Sequence, residues 1–519
     1  MSPLRNYITE EDLDFALRHI TYFYDTDFFP RAEEFVAVAH SWDEIRTTIL
    51  DAELDALFVA PPLTAPWPKT KSGYRIVHRP EPIDSIVYAA LAHKIASAIE
   101  ESRASPEIAC SYRISPDDYS FFEDGSGFNV YRQRNENLAE EYDYVLTADI
   151  SDFYNKIYLH RLQNGVQTAI DDPPGLSKRI EHFLNLLNTH ASQGIPVGPA
   201  ASIIMAEATL IDADQFVTNS GLDHARYVDD FQIFASSEAE LQRFHQDFCL
   251  YLHENQRLSL SPLKTRIRKS KEFISEELDN QYQVEKLKIL EEIEVVNPYS
   301  MDTDDLELEE IENAPEILVE ALNKLLQYET LDLGVIRAIV RRARAHGITE
   351  IAPLLLENLS FFAPIANDLF LYLDRVSSEE FVAENLKLLQ ELHEDPANNF
   401  SAVRLWLEWF YARQEVLLNE KKVRAFVYAS NSLRPQAQAA ITTRNQSWVK
   451  DRKNQLLHYY AWQRRSVLLA ARLLSKDERE KWLNQLFKAN KLVGMDKWMA
   501  QWALDGNPPA SPPEEEIPF

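Results

Sequence analysis

Two adjacent carboxylates enclosed by apolar residues, in the run from His224 through Arg226, Tyr227, Val228, Asp229, Asp230 and Phe231 to Phe234, constrain this chain more than any other feature. The pattern is strand, tight acidic turn, strand. Such a turn presents both carboxylates to a cleft, where they repel each other unless a divalent cation lies between them. Tyr-x-Asp-Asp alone is expected by chance in roughly one chain in twenty of this length, and a plain surface turn is the competing reading. A second acidic segment decides between the two. Tyr144–Asp149 is a short apolar run that reads as a buried strand with Asp149 at its C-terminal end. Ser151 and Asp152 follow as a cap for a short helix carrying Phe153 and Tyr154. One carboxylate at a strand end and a pair in a hairpin turn form the donor set of a two-metal phosphoryl-transfer site. One ion lowers the pKa of an attacking hydroxyl and the other steadies the triphosphate and its leaving oxygen.

Between these segments lies Ser192-Gln193-Gly194-Ile195-Pro196-Val197-Gly198-Pro199, followed by a helix of small residues from Ala200 to Leu210. Its glycines and prolines make a rigid turn that bulky side chains would block, so a nucleotide base and sugar could lie close to backbone there.

With these residues in place, the chain resembles the reverse transcriptases. Asp149 falls in the first catalytic motif of that family, Gln193-Gly194 in the second and Tyr227–Asp230 in the third. Pro68–Arg75 is similar to the fingers segment, Arg79–Asp84 to the block after it, and Ser111-Tyr112-Arg113 to a degenerate form of the next. Leu258–Thr265 resembles the palm motif that places a lysine near pyrophosphate. The resemblance covers about residues 60 to 275. Within the family, Asp152-Phe153-Tyr154, the Ile195–Gly198 stretch, the Arg226–Phe231 context and the long helical C-terminus are most similar to the abortive-infection anti-phage polymerases, of the type carried by P2-like prophages.

The resemblance implies a fold class: an α+β fingers-and-palm domain followed by an all-α, helical-repeat-like domain in place of a thumb. It also implies the site. Asp149, Asp229 and Asp230 would hold two Mg²⁺ ions, with the Ile150 backbone carbonyl as a further ligand and Mn²⁺ as a possible substitute. Lys69 or Lys71, with Arg75, would pair with triphosphate oxygens, the lysine as a point charge and the arginine as a bidentate fork. Tyr154 would exclude a ribose 2′-hydroxyl, Gln193 and Gly194 would line the dNTP site, and Lys264 would stand near the leaving pyrophosphate.

Composition sets the outer bounds. At 519 residues the chain has room for two or three domains. No apolar run is long enough to span a bilayer, and the first residues lack the apolar stretch of a secretory signal. Cys110 and Cys249, far apart, exclude a disulfide framework and fit a reducing cytoplasm, which the resemblance implies is bacterial. The formal net charge of −29 sits uneasily with generic gripping of a nucleic-acid duplex. Positive charge is local, at Lys264, Arg266, Arg268, Lys269 and Lys271 and again at Arg341, Arg342 and Arg344. Those clusters either line a basic channel inside an acidic shell, or the protein holds little nucleic acid beyond a nascent strand.

Along the chain, residues 1–60 read as a helical extension of the fingers and 61–275 as fingers and palm. Residues 276–315 form an acidic linker, 316–506 the helical domain and 507–519 a disordered or docking tail. The helical half carries no nucleophile–base pair. His458, Tyr459 and Tyr460, among Arg452, Arg464 and Arg465, could stack on single-stranded nucleic acid, or form only the basic edge of an amphipathic helix.

The function expected from the resemblance is an anti-phage polymerase that builds DNA from dNTPs without copying a template, starting from one of its own tyrosines. The product would be single-stranded DNA covalently attached to the protein, and the protein a homo-oligomer, a trimer or hexamer. Tyr7 is the priming candidate, because it precedes the first acidic helix in a segment able to thread into the cleft. The alternatives are a templated enzyme working with an RNA partner, and a catalytically silent helical scaffold.

Overall fold

The apolar runs flanking the acidic turn pair as the sequence pattern requires. In the computed structural model, which describes residues 2–57, 59–70, 73–117, 119–170, 175–278, 286, 314–328 and 331–507, they are strands of one antiparallel sheet. With β1 (Leu63–Pro68) and β2 (Tyr74–Arg79) forming a separate hairpin, the sheet contains β3 (Tyr144–Asp149), β4 (Asp223–Tyr227), β5 (Asp230–Ala235) and β6 (Arg266–Lys269) in the order β4-β5-β3-β6. The register sets Asp149 on β3 directly opposite Asp230 on β5, and Tyr227 on β4 opposite Asp230. The two inner strands therefore deliver their carboxylates to the same end of the sheet.

By their contacts the residues gather into two compact units. The first holds Met1–Thr26, Ile49–Thr64 and His78–Asp305; the second holds Asp27–Thr48, Ala65–Val77 and Leu306–Phe519. This partition differs from the linear division read in the sequence, because residues 27–48 and the tip of the β1–β2 hairpin gather with the C-terminal helices.

In the first unit, the helices Pro82–Ser102, Leu159–Ile170 and Ala201–Asn219 pack on one another. Pro82–Ser102 and Ala201–Asn219 are apolar nearly all round, as helices buried on most faces must be. The helix Glu10–Phe23 opens with the expected acidic cap: Thr9 and Asp12 form a reciprocal capping box. Behind the sheet, Val145 and Phe234 pack with Leu138, Phe273 and Leu278.

The second unit is all helix apart from the hairpin tip, as its leucine spacing predicts. Leu333–His346 packs on Ala366–Val376, that on Ser401–Arg413, and so on through Leu433–Thr442 and Ala461–Leu469 to Met495–Leu504. The last of these packs on the N-terminal helix Glu34–His40. Glu34, fully buried, takes charge-assisted bonds from Arg434 and from Arg465 (3.3 Å). Trp67 on β1 donates its indole N–H to the Pro364 carbonyl (2.9 Å). Most of the acidic linker and all of the tail after Asn507 lie outside the described residues. Among the described residues no helix is long and apolar enough to cross a membrane.

Candidate active site

Past Asp149, where β3 ends, the chain bridges to the Leu258–Thr265 segment. The Asp149 carbonyl accepts from the Ser261 amide (2.7 Å), and the Ser151 amide donates to the Ser259 carbonyl (2.9 Å). These two bonds flank the Ile150–Leu260 bridge and use neither the amide nor the carbonyl of Ile150. The Ile150 amide instead donates to the Asp229 carbonyl (3.2 Å), tying the two acidic segments backbone to backbone. The Leu258–Thr265 segment thus lies alongside Asp149, and Lys264 reaches the carboxylate: Nζ to Oδ2 is 2.5 Å. Asp149 is buried while the Lys264 side chain is largely exposed.

Asp230 carries the electrostatic signature of the site. Burial raises its carboxyl pKa first, the charges of Asp229 and Asp149 raise it further, and Lys264 opposes them, leaving it at about 7. Hydrogen bonding to Asp149, which favours the protonated form, adds a smaller upward push. Desolvation lowers the Lys264 pKa, but the bond to Asp149 and the three carboxylate charges outweigh it, and the net shift is upward. Among the described residues no three His, Cys, Asp or Glu side chains are already drawn together as a metal cage. The donor set nevertheless fits divalent cations: hard oxygens, crowded enough that one must keep a proton, with an ammonium resting on one of them. Asp149 and Asp230 are the pair that could hold an ion between them, with Asp229 beside them.

The other expected site residues divide. Tyr154, on the short helix Phe153–Lys156, accepts from the Ile195 amide through its carbonyl (3.0 Å). Burial raises its phenol pKa well above the ordinary value, and the Asp229 charge adds to that. Asp152 precedes this helix as expected but does not cap it. It takes a left-handed conformation (φ 51°), and its carboxylate accepts from Asn155 Nδ2 (2.7 Å). Gln193 bridges to Tyr158, and its side-chain amide donates to the Lys156 carbonyl (3.2 Å). Gly194, at φ +92°, would press a Cβ to 3.3 Å from the Asn155 carbonyl oxygen. The Gln193–Gly198 turn therefore packs on the segment just after Asp149, and the second and first motifs form one wall.

Lys69 and Arg75 are exposed on the β1–β2 hairpin, where the Lys69 amide closes the turn on the Gly73 carbonyl (3.1 Å); Lys71 lies outside the described residues. Tyr7 is half-buried between the fully buried Leu4 and Ile8, with the Arg179 guanidinium 5.2 Å from its ring centre. The basic stretch after Lys264 is partly neutralised, since Arg266 pairs with Glu277 (2.6 Å) and Arg268 with Glu276 and Glu277. Of the arginines near Tyr460, Arg452 lies over Trp448, Arg464 pairs with Asp496 (2.6 Å), and Arg465 is buried against Glu34. That region is the edge of a packed helix, its cations turned inward.

One group escaped the motif reading. Directly beneath the acidic turn, Arg226 is fully buried and forked onto Asp214 (2.6 Å) and Glu207 (2.9 Å), and Glu207 also pairs with Arg103 (2.9 Å). Burial would raise both acids, but the arginines outweigh it, and Asp214 falls to about 2. The signal was present in the sequence: two carboxylates seven residues apart share a face of an otherwise apolar helix, and an arginine interrupts an apolar strand.

Comparison with known proteins agrees with this geometry over one part of the chain. Residues 68–290 match the sequence model of the family described as "Reverse transcriptase (RNA-dependent DNA polymerase)". No curated protein matches the chain. Among solved structures it is similar to apo telomerase from Candida tropicalis, at 10% identity over 72% of this chain and 74% of that one, with a TM-score of 0.33. It is also similar to telomerase from Candida albicans bound to a telomeric RNA fragment, at 12% identity over 67% and 66%, with a TM-score of 0.28. The RNA-dependent RNA polymerase of bacteriophage phi12 aligns at 10% identity over 68% and 65%, also at 0.28. Overlaps this loose carry no weight beside the family match and the paired carboxylates. On those two grounds, residues 68–290 are a reverse-transcriptase family domain, a polymerase-like nucleotidyltransferase unit joined to an all-helical C-terminal region.

Proposed function

We propose that this protein is an anti-phage DNA polymerase that joins deoxynucleotides at Asp149, Asp229 and Asp230, priming on its own chain and copying no template. The observation that carries the polymerase reading is the β3–β5 register, which sets Asp149 opposite Asp230 at the end of the sheet where the acidic turn begins. Burial first, then the charges of Asp229 and Asp149, raise the Asp230 carboxyl pKa to about 7. Two Mg²⁺ ions bound there supply an activated hydroxyl and neutralise charge on the leaving oxygen. Lys264, whose ammonium rests on Asp149, would stand near the leaving pyrophosphate. Tyr154, whose carbonyl accepts from the Ile195 amide of the Gln193–Gly198 turn, would act as a gate against a 2′-hydroxyl. Lys69 or Lys71, together with Arg75, would supply the phosphate contacts.

The anti-phage role, the priming and the covalently attached single-stranded product rest on the sequence resemblance, with Tyr7 as the proposed primer and a homo-oligomer as the working form. Delivery of the Tyr7 oxygen requires its segment to leave Arg179 while Leu4 and Ile8 stay anchored. The templated reading is favoured by one observation, the RNA-dependent description of the matching family. Purified protein given labelled dNTP and Mg²⁺, with and without RNA or DNA template, separates the readings on a denaturing gel. Label that migrates with the protein without template supports the proposal, and mapping the adduct to the Tyr7 peptide supports the primer. Free-ended, template-dependent product supports the templated reading. No product, in a protein whose Asp229→Ala variant behaves identically, overturns both.

A further inference from the structure

The acidic turn contains a conformation that its sequence does not favour. Val228 has φ +54°, the left-handed region, in the two-residue connection between β4 and β5. That position is ordinarily filled by Gly, Asn or Asp, and a β-branched side chain there is an outlier that the surroundings must impose. Both peptide groups of Val228 are held. Its amide donates to Ser111 Oγ (3.0 Å), and its carbonyl accepts from Arg226 Nη1 (2.9 Å).

The two holding groups share an anchor. Ser111 Oγ donates to Glu207 Oε1 (3.4 Å), and Arg226 Nη1 donates to the same oxygen (3.2 Å). A closed ring of bonds thus runs Val228 amide, Ser111, Glu207, Arg226, Val228 carbonyl. It is braced outside by Asp214 on Arg226, and by Arg103 on both Glu207 and the Ser111 carbonyl (2.7 Å). Ser111, Glu207 and Arg226 are each 0–1% exposed, so the ring has no slack.

We propose that Ser111 and Arg226 are positioning residues, two jaws of a buried clamp that keeps Val228 left-handed and so fixes where Asp229 and Asp230 point. A charged network under an apolar strand is costly to bury; here it sets backbone geometry one residue from the carboxylates. The kinetic part of the inference rests on the nucleotidyl-transfer reading, whereas the conformational part does not.

Ser111→Ala removes one jaw without stranding a buried charge, whereas any change at Arg226 leaves Glu207 and Asp214 uncompensated and endangers folding. In a crystal structure of Ser111→Ala, Val228 is expected to leave the left-handed region. A residue still near its original φ overturns the clamp whatever the activity. For nucleotide incorporation, Ser111→Ala is expected to lower kcat about tenfold to a hundredfold with KM for dNTP little changed. In a Val228→Gly background, where left-handed backbone needs no support, the same change is expected to cost less than about threefold. Equal losses in both backgrounds, or no loss in either, refute the clamp. Mn²⁺ titration without nucleotide gives a readout apart from turnover, and weaker binding in Ser111→Ala alone is the expected result. A wild type that incorporates nothing removes the polymerase reading and leaves the structural result to judge the clamp.

Discussion

At the scale of single residues, the site is a conflict between carboxylates that folding brings together. Asp230 keeps a proton to about pH 7 in the folded chain, and in the unfolded chain only to about 4. Between those values the folded state binds more protons, so this contribution is fully present below about pH 4 and is lost as pH rises through about 7. The slope is at most about 1.4 kcal/mol per pH unit. Urea unfolding of chelator-treated protein from about pH 5 to about pH 8 is expected to show stability falling, and Asp230→Asn to flatten the fall. His19 works in the opposite sense, since burial lowers its pKa to about 4. The difference between wild type and Asp230→Asn therefore isolates the carboxyl. An identical slope in both proteins would refute the raised Asp230 pKa. Tyr154 offers a second test. Tyr154→Val is expected to raise ribonucleotide use relative to deoxynucleotide use about tenfold or more, read by competing the two substrates. Unchanged discrimination in an active variant would leave Tyr154 only as packing against Phe153, 5.7 Å between ring centres.

At the scale of elements, the second motif is held by glycine where no other residue fits. Gly198 has φ +130°, and a Cβ there would lie 2.4 Å from Thr26 Oγ1 and 3.2 Å from the His78 carbonyl oxygen. The turn is also bonded to β2, the His78 amide to the Val197 carbonyl (2.8 Å) and the Val197 amide to His78 Nδ1 (3.0 Å). Gly198→Ala combines backbone strain with overpacking and is expected to cost about 2 to 4 kcal/mol, measured by denaturant unfolding. A loss below about 0.5 kcal/mol would mean that the turn gives way freely. This is also the scale at which the sequence was most legible. The acidic hairpin, the strand ending in Asp149 and the glycine turn are each specified by neighbours within ten residues, so pattern alone located them. The ring under Val228 was legible only in its parts: the buried charges stand out in apolar segments, but Ser111, Glu207 and Arg226 are brought together only by the packed helix Ala201–Asn219. Asp152 was misread as a cap because its left-handed backbone turns the side chain toward Asn155.

At the scale of the molecule, the helical character of the C-terminal half followed from its leucine spacing, but its membership did not. Helix periodicity says which face is buried and nothing about which distant helix covers it. The second unit therefore includes Glu34–His40 from the N-terminal region. Residues 306–519 expressed alone are expected to melt earlier and less cooperatively, because Arg465, 2% exposed, loses Glu34 while keeping Asp496 at 3.9 Å, and breaking a buried pair costs up to about 3 to 5 kcal/mol. Circular dichroism melts of that fragment, with and without residues 27–48 fused to it, give the test. A sharp transition in the bare fragment would show that the N-terminal helix is dispensable. The same arrangement has a consequence for how the protein is made. Glu34 and Arg465 are 431 residues apart, so a ribosome adding about 5 to 20 residues per second needs roughly 20 to 90 s to supply the second after the first. Through that interval the helix Glu34–His40 has emerged with Phe35 and Val38, both core residues of the finished fold, still uncovered. Until the helix Met495–Leu504 is made, the helix Glu34–His40 lacks the partner on which it packs in the finished fold.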